Sequence, residues 1–221
     1  MASDLLLVFL KAPRPGAVKT RLASRLGSDA AAELYRALAE AEVHATRPAG
    51  GEYDRLLCFT PPDAHAEMEG WFPGEQLLAQ QGADLGERMA RAFDEGFRRG
   101  APRVAIIGGD VPWVSRSDVA EAFRSLADHD VVLGPARDGG YYLLALARPQ
   151  PGVFRGIAWS TPSVLAATVE RAEALGLSVR LLEPLPDIDT VEDVRSEWER
   201  LAPLLEHRPG LRDAMATILA R

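Results

Sequence analysis

A chain of 221 residues with 47% hydrophobic side chains can bury a substantial core, which excludes a disordered protein. Its formal net charge of −7 argues against general binding of nucleic acids or anionic membranes, because both depend on clustered cations. The single cysteine, Cys58, excludes an intramolecular disulfide and a cysteine-based zinc cluster, and it is expected to be a buried thiol.

The first apolar run, at 5–10, is too short for a membrane span or for the core of a signal peptide. No cationic region precedes it. We therefore expect a cytoplasmic protein.

Apolar runs alternate with amphipathic segments along the chain. Strands are predicted at 5–10, 55–59, 75–80, 103–108, 130–136, 141–147 and 177–183. Helices are predicted at 20–26, 28–46, 84–99, 115–128, 160–176, 190–207 and 211–221. Such alternation is typical of a parallel α/β sheet covered by helices, and nearly continuous apolar runs indicate strands buried on both faces.

The segment 130–147 breaks this rhythm, because only the residues RDGG, 137–140, separate its two strand-like runs. Parallel neighbours need a longer connection, so this segment predicts a hairpin or an antiparallel excursion. We expect one domain with a mixed sheet over residues 1–221. Ligands of such sheets bind beyond the carboxyl ends of the strands, where the unusual residues of this sequence also lie.

The stretch after the first strand, KAPRPGAVKTRL, concentrates positive charge in an acidic chain. Residues 1–27 carry five cations against one anion. Pro13 stiffens the loop, Gly16 permits a turn, and Thr20 caps or begins a helix.

A loop that enters a helix offers free backbone N–H groups near the positive end of the helix dipole. With Lys11, Lys19 and Arg21 added, it predicts a site for a di- or triphosphate; the alternative is a solvated basic loop. It is not a Walker A loop, because Val18 stands where that motif has its second glycine.

A carboxylate follows the fourth strand, in the segment GGDVP. Asp110 comes directly after Gly108 and Gly109, and these glycines let a ligand approach the backbone closely. An exposed carboxylate beside a phosphate site suits Mg²⁺ or Mn²⁺; the alternative is a turn or helix cap.

The segment DIDT, 187–190, is a second source of carboxylates and opens a helix. Asp189 is expected as the N-cap, with Glu192 three residues on as in a capping box. Cap and metal ligand are alternatives for Asp189. Asp193 is expected only to favour the helix dipole.

The segment QQGADLGER predicts a further helix start. Gly82 precedes Asp84, which is placed to cap, and Arg88 lies one turn into the helix, where it can face a ligand. Gln81 and Arg88 are candidates for contacting a nucleotide base, without specifying which base.

The turn in RDGGYY is either an ordinary hairpin or a carboxylate at the mouth of the site. In the second case Asp138 orients a sugar or acceptor, or acts as a base. Trp159 is either a wall for a second substrate or a core tryptophan. The candidate acceptor- or sugar-binding residues are Asp138, Gly139, Gly140, Tyr141, Trp159, Ser160 and Thr161.

Several other chemistries lack their motifs. The sequence contains no G-x-S-x-G and no H-E-x-x-H, and its four histidines are scattered. No G-x-G-x-x-G follows the first strand, which disfavours a dinucleotide-dependent oxidoreductase.

Six motifs occur in order between Lys11 and Thr190: K-A-P-x-P-G-x-V-K-T-R-L, Q-x-G-x-D-L-G-E-R-M, G-G-D-x-P, L-G-P-A-x-D-G-G-Y-Y, W-S-T and D-I-D-T. On these motifs the sequence resembles the bacterial glycosyltransferase-A-fold family of nucleotide-diphospho-sugar transferases, some of which are linked to arsenosugar biosynthesis. It is similar, more distantly, to the phospholactate and molybdopterin guanylyltransferases through K-T-R-L and G-G-D.

The resemblance implies a Rossmann-like, three-layer α/β/α fold with a mostly parallel mixed sheet, and a divalent metal, Mg²⁺ or Mn²⁺. It implies that Lys11, Lys19 and Arg21 hold phosphates and that Asp110 and Asp189 bind the metal. One departure is Pro112, which stands where glycosyltransferases of this fold have the second aspartate of D-x-D.

The leading hypothesis is metal-dependent glycosyl transfer from a nucleotide sugar to a small-molecule acceptor, with Lys19, Asp110 and Asp138 as the catalytic set. The alternative is nucleotidyl transfer from an NTP to a phosphorylated acceptor, which releases pyrophosphate. A non-catalytic nucleotide sensor is a third reading. Neither nucleic acid nor membrane is expected as a partner.

Overall fold

The computed structural model describes residues 2–220 and contains one seven-stranded sheet. The strands are β1 (Leu5–Lys11), β2 (Asp54–Thr60), β3 (Leu77–Ala79), β4 (Val104–Gly108), β5 (Val131–Pro135), β6 (Tyr141–Leu146) and β7 (Val179–Leu181). Their order is β3-β2-β1-β4-β6-β5-β7. Only β6 runs against its neighbours, so the predicted mixed sheet and antiparallel excursion are confirmed.

Helices cover both faces of the sheet. They are α1 (Thr20–Leu26), α2 (Ser28–Ala45), α3 (His65–Trp71), α4 (Leu85–Arg98), α5 (Arg116–Ser125), α6 (Val164–Ala174), α7 (Val191–Ser196), α8 (Trp198–Leu201) and α9 (Pro209–Leu219). Short 3₁₀ turns lie at 62–64, 151–154 and 202–205. The α/β prediction is therefore confirmed as a three-layer arrangement.

The helices of the structure differ from the prediction mainly in three respects. Helix α3 has no counterpart in the sequence prediction. The single helix expected at 190–207 is broken into α7, α8 and a 3₁₀ turn. Pro203, which lacks a backbone N–H, lies where α8 gives way to that turn. The helix expected from residue 160 begins at Val164.

Strand β1 shows how the sheet separates two cores. Leu6, Val8 and Leu10 pack on one face, beneath α2 and α5. Leu7 and Phe9 pack on the other face, beneath α4. Complete burial of such a side chain stabilises the fold by about 1.5–3 kcal/mol. The sheet is therefore held from both sides, which fixes the positions of the strand ends.

Cys58 on β2 is fully buried, as predicted. Burial raises the pKa of its thiol to about 12, so the group is a neutral apolar side chain at physiological pH. A third, smaller core joins α1 and α2 to the helices that follow residue 190. Among residues 2–220, no helix has both the length and the apolar character needed to cross a bilayer.

Candidate functional site

The carboxyl ends of the parallel strands and the start of β6 share one edge of the sheet. The loop after β1, the GGD segment after β4, the turn before β6 and the DIDT segment after β7 all meet there. This convergence follows from the reversed direction of β6, which brings Tyr141 to the same edge as Asp110.

An ion cluster of three side chains lies at the centre of this edge. The Nζ of Lys19 is 2.6 Å from Oδ1 of Asp110 and 2.8 Å from Oδ1 of Asp189. The Lys19 side chain is 1% exposed, whereas those of Asp110 and Asp189 are 51% and 34% exposed. The ammonium is therefore buried beneath two carboxylates that still face the cleft.

The charges in this cluster stabilise one another against burial. Burial disfavours the Lys19 ammonium, but the attraction of Asp110 and then Asp189 outweighs it and raises the pKa of Lys19 above its ordinary 10.5. Burial also disfavours the Asp110 carboxylate, yet Lys19 holds the pKa of Asp110 below its ordinary 3.8. Lys19 and Asp110 are consequently both charged at neutral pH.

The backbone delivers Lys19 to this position by an unusual turn. Lys19 is the N-cap of α1 and has φ 47° and ψ 43°, a left-handed conformation that costs a non-glycine residue energy. The phosphate-cradle prediction gave Lys19 the role of binding phosphate where the loop enters a helix. In the structure its charge is already shared by two carboxylates.

The DIDT segment is held in place by its own helix cap, which differs from the predicted one. Thr190 is the N-cap of α7 and forms a capping box with Asp193. The expected box of Asp189 with Glu192 is therefore wrong by one residue, and Asp193 does more than favour the dipole. Asp193 Oδ2 also accepts the N–H of Asp189 at 3.0 Å, which leaves the Asp189 carboxylate free to face the cleft.

The donor set at this edge fits one particular class of cation. Among residues 2–220, no three histidine, cysteine or acidic side chains form a complete metal site. Asp110 and Asp189 nevertheless both contact the ammonium of Lys19, so their oxygens approach a common point. Mg²⁺ is commonly bound by one or two carboxylates and completed by substrate phosphates and water, and these residues fit that pattern.

Two cavities open on either side of Asp110. The larger one, of about 360 Å³, is bordered by most of the predicted acceptor residues. These are Asp138, Gly140, Tyr141, Trp159, Ser160 and Thr161, together with Lys11, Arg21, Asp187 and Asp189. The smaller one, of about 230 Å³, reaches Gly109 and Arg88. Lys11, Gly108, Asp110 and Tyr141 border both cavities, so the two form one continuous cleft.

Asp187 gives the larger cavity an additional acidic wall. Burial raises the pKa of its carboxyl to about 6, and the negative charges of Asp138, Asp193 and Asp189 add to the effect. The cavity therefore combines the cations Lys11 and Arg21 with an acid that is half protonated near pH 6.

Trp159 packs tightly against the start of α4. A Cβ added to Gly86 would overlap the indole ring, so only glycine allows this approach. Trp159 is half-buried and borders the cavity, which unites the two readings made from sequence: it packs on α4 and also forms a wall. Gly139, with φ +91°, makes a similar close approach to the backbone of Pro162.

The remaining predicted residues lie outside both cavities. Gly16 has φ +79° and makes the expected turn. Asp84 caps α4 by accepting the N–H of Glu87 at 2.8 Å, and the Gly82 carbonyl accepts from Arg88 Nε at 3.2 Å. The other predicted residues absent from the cavity walls are Pro13, Lys19, Thr20, Gln81 and Gly139.

Among the cleft residues that sequence reasoning missed, three have polar side chains that bear on the site. Tyr35 on α2 accepts the backbone N–H of Lys11 at 2.8 Å and so fixes the end of β1. Tyr142 borders both cavities. Gln80, and not its neighbour Gln81, borders the smaller one. A strand end predicted one residue shorter would have identified Gln80, because its side chain is buried and that of Gln81 is exposed.

The sequence matches a family model and curated relatives. The model of DUF2064, a family described as uncharacterized proteins conserved in bacteria, matches residues 43–161. A phosphoenolpyruvate guanylyltransferase of Chloroflexus aggregans is 31% identical over 169 residues, which cover 74% of this chain and 81% of that protein.

Several solved structures share the fold of this chain. A protein of Desulfovibrio desulfuricans, provisionally named a nucleotide-diphospho-sugar transferase, is 34% identical, with a TM-score of 0.87 over 97% of this chain and 99% of that one. At the level of fold alone, a CMP-2-keto-3-deoxy-manno-octonic acid synthetase bound to CTP has a TM-score of 0.55 at 14% identity, over 90% of this chain and 99% of that one. A Mycobacterium tuberculosis protein bound to manganese has a TM-score of 0.52 at 17% identity, over 90% of this chain and 98% of that one. The resemblance drawn from the motifs is confirmed, and the chain is a transferase.

Proposed function

The chain belongs to the bacterial DUF2064 family, and within it we propose that this protein is a nucleotidyltransferase that joins an NTP to a phosphorylated small molecule. The observation that carries this proposal is the ion cluster of Lys19, Asp110 and Asp189 at the junction of the two cavities. It offers two carboxylates for a divalent cation at the point where a triphosphate and an acceptor would meet.

The comparisons favour this reading over the leading hypothesis of glycosyl transfer. The Chloroflexus relative is named a guanylyltransferase. The carboxylates of this site come from two separate segments, after β4 and after β7, and Pro112 replaces the second aspartate of D-x-D. Glycosyl transfer remains the second candidate, supported by the name of the Desulfovibrio protein.

The proposed reaction is a displacement at the α-phosphorus of the NTP. An oxygen of the acceptor phosphate forms a bond to that phosphorus, the bond to the bridging oxygen of the β-phosphate breaks, and pyrophosphate leaves. Lys11 and Arg21 border the larger cavity and would offset charge on the triphosphate and the acceptor. The transition state carries negative charge that these cations stabilise.

Asp110 and Asp189 would hold Mg²⁺ or Mn²⁺, which supplies charge neutralisation at the phosphates when bound. Asp138 borders the larger cavity, and its Oδ1 accepts the N–H of Gly140 at 2.8 Å. Its role in the proposal is to shape the turn before β6 and to orient the acceptor, rather than to ionise it, because a phosphate oxygen needs no general base.

The test follows the leaving group. The protein is incubated with Mg²⁺, each NTP and phosphoenolpyruvate, the acceptor in the name of the Chloroflexus relative, and pyrophosphate is measured. Pyrophosphate release that depends on acceptor is the expected result, and Asp110→Asn should abolish it. Parallel reactions contain nucleotide sugars. Release of nucleoside diphosphate there, with no pyrophosphate in the first set, would establish glycosyl transfer instead.

A further inference from the structure

The smaller cavity has a polar wall that phosphate chemistry leaves unused. Gln80 lies at the end of β3 and is 8% exposed. Its Nε2 donates to the carbonyl of Cys58 at 2.7 Å and to the carbonyl of Leu10 at 3.3 Å. The amide therefore bridges the ends of β2 and β1 while bordering the cavity.

These two bonds fix which way the amide faces. Both hydrogens of the NH₂ group are donated, and turning the amide over would set its oxygen against two carbonyl oxygens. The Oε1 of Gln80 accepts no hydrogen bond from the part of the chain that the structure describes. Gln80 thus presents the cavity with a hydrogen-bond acceptor in a fixed position, and with no donor.

Arg88 supplies donors to the same cavity. Its Nε is held by the carbonyl of Gly82 at 3.2 Å, which anchors the guanidinium. No carboxylate between residues 2 and 220 pairs with it, in contrast to Arg91 one turn later, which contacts Glu87. The two terminal nitrogens of Arg88 therefore form a free planar fork, a group that binds two adjacent acceptors.

The other walls suit a flat ring attached to a phosphate chain. Phe9, Leu85 and Met89 provide apolar surface, and the cavity continues to Lys11 and Asp110 at the proposed phosphate site. A nucleotide bound across the two cavities would place its base between these apolar side chains, with one edge toward Gln80 and Arg88.

We propose that Gln80 and Arg88 read the base, and that together they select guanine or cytosine over adenine and uracil. This proposal rests on the nucleotidyl-transfer function above and names the nucleotide class that the site takes. One fixed acceptor beside a two-pronged donor matches a base edge that carries one donor next to two adjacent acceptors.

Two of the four bases have such an edge. Guanine carries N7 and O6 as adjacent acceptors beside its N1–H donor, and cytosine carries O2 and N3 beside its N4 amino group. In adenine and uracil a donor separates the acceptors, so the Arg88 fork would meet an N–H group. A mismatch of this kind typically weakens binding by roughly tenfold to a hundredfold.

The experiment measures the affinity of the intact protein for GTP, CTP, ATP and UTP by titration calorimetry with Mg²⁺. We expect GTP or CTP to bind at least tenfold more tightly than ATP and UTP, and the better of the two identifies the base. Inosine triphosphate keeps N7, O6 and N1–H, so under guanine selection it should bind within about threefold of GTP.

Variants assign the effect to the two residues. Arg88→Met and Gln80→Met should reduce the discrimination to less than threefold. Arg91→Met removes a cation from the same helix, outside the smaller cavity, and should leave discrimination unchanged. Because Gln80→Met also loses two hydrogen bonds, its thermal unfolding is measured as well. If this variant does not fold, Arg88→Met and the inosine triphosphate comparison still test the proposal.

Equal affinity for all four NTPs, or full discrimination in Arg88→Met, would overturn the base-reading role while nucleotidyl transfer stands. Absence of any NTP binding would overturn both proposals. The two failures are therefore distinguishable in one set of titrations.

Discussion

Replacing Lys19 by methionine is expected to weaken the fold and, at the same time, to make the Asp110–Asp189 pair available to divalent cations. Methionine keeps the apolar stem but removes the ammonium that lies 2.6 and 2.8 Å from the two carboxylates. The two carboxylates would then face the cleft without the cation that now lies between them.

The size of the effect lies between two known limits. Exposed ion pairs contribute about 0–1 kcal/mol. Removing one partner of a buried pair costs about 3–5 kcal/mol. Lys19 is 1% exposed, but Asp110 and Asp189 are 51% and 34% exposed and remain partly hydrated without it. We therefore expect a loss of about 2 kcal/mol, which lowers the melting temperature by about 4–8 °C.

The pH dependence identifies the source of this loss. Asp110 has a lowered pKa, so its share of the stability is present above pH 3.8 and disappears as the pH falls through its folded pKa. Lys19 has a raised pKa, so its share is present below pH 10.5 and disappears only above that value. The difference between wild type and Lys19→Met should be constant between these limits and should vanish in acid.

Cation binding is the second readout. In the wild type, Mn²⁺ must displace the Lys19 ammonium from both carboxylates. Removing the ammonium should therefore strengthen the binding of Mn²⁺ in the absence of nucleotide by up to about 2 kcal/mol, roughly thirtyfold. Electron paramagnetic resonance of free Mn²⁺ measures this directly. Lys11→Met is the control, because it removes a cation from the same cleft that pairs with no acid in residues 2–220. Unchanged melting together with unchanged or weaker Mn²⁺ binding in Lys19→Met would refute the reasoning.

Two further predictions concern steric fit and a buried acid. Gly86→Ala should displace the Trp159 indole, shift its fluorescence and raise the KM for the acceptor more than the KM for the NTP. Gly70→Ala is the control, because a Cβ there meets open space, and it should change neither the fluorescence nor the KM values. Equal behaviour of the two variants would contradict the packing argument. The fully buried carboxyl of Glu42 has no hydrogen-bond partner among residues 2–220, and burial, assisted by the charge of Asp110, raises its pKa well above 4.5. Wild-type stability should therefore fall as the pH rises above 4.5. Glu42→Met should lose this pH dependence and should melt at a temperature about 2–4 °C higher than wild type at pH 8. A Glu42→Met variant that melts below wild type at pH 8 would refute this prediction.

The strands were predictable because each one is a nearly continuous apolar run. Burial on both faces leaves little room for polar residues in a strand such as β1, and the short RDGG link allowed only an antiparallel return. The sequence could not predict that β6 inserts between β4 and β5, because strand order depends on crossovers that cost similar local energy. It could not predict α3 either, since that helix has neither a side-chain cap nor a long apolar stripe.

The site was predictable in its segments but less so in its individual residues. Both D-x-x-E and T-x-x-D satisfy the capping-box pattern in DIDTVED, and only the backbone path selects Thr190 with Asp193. Gln80 and Gln81 are identical neighbours, so the residue that faces the cavity depends on where β3 ends. The pairing of Lys19 with two carboxylates needed long-range geometry that no local pattern contains.

The cap that holds Asp189 has a consequence for the order in which the site is completed during synthesis. The sheet up to β6, with Lys19 and Asp110, leaves the ribosome before the segment that carries Asp189. The helices that follow Asp189 close the third core over α1 and α2, so they also fold late. We therefore expect the nascent chain to hold the Lys19 ammonium against Asp110 alone. The second carboxylate of the ion cluster arrives with the last part of the fold, so the proposed cation site is complete only when the molecule is nearly whole.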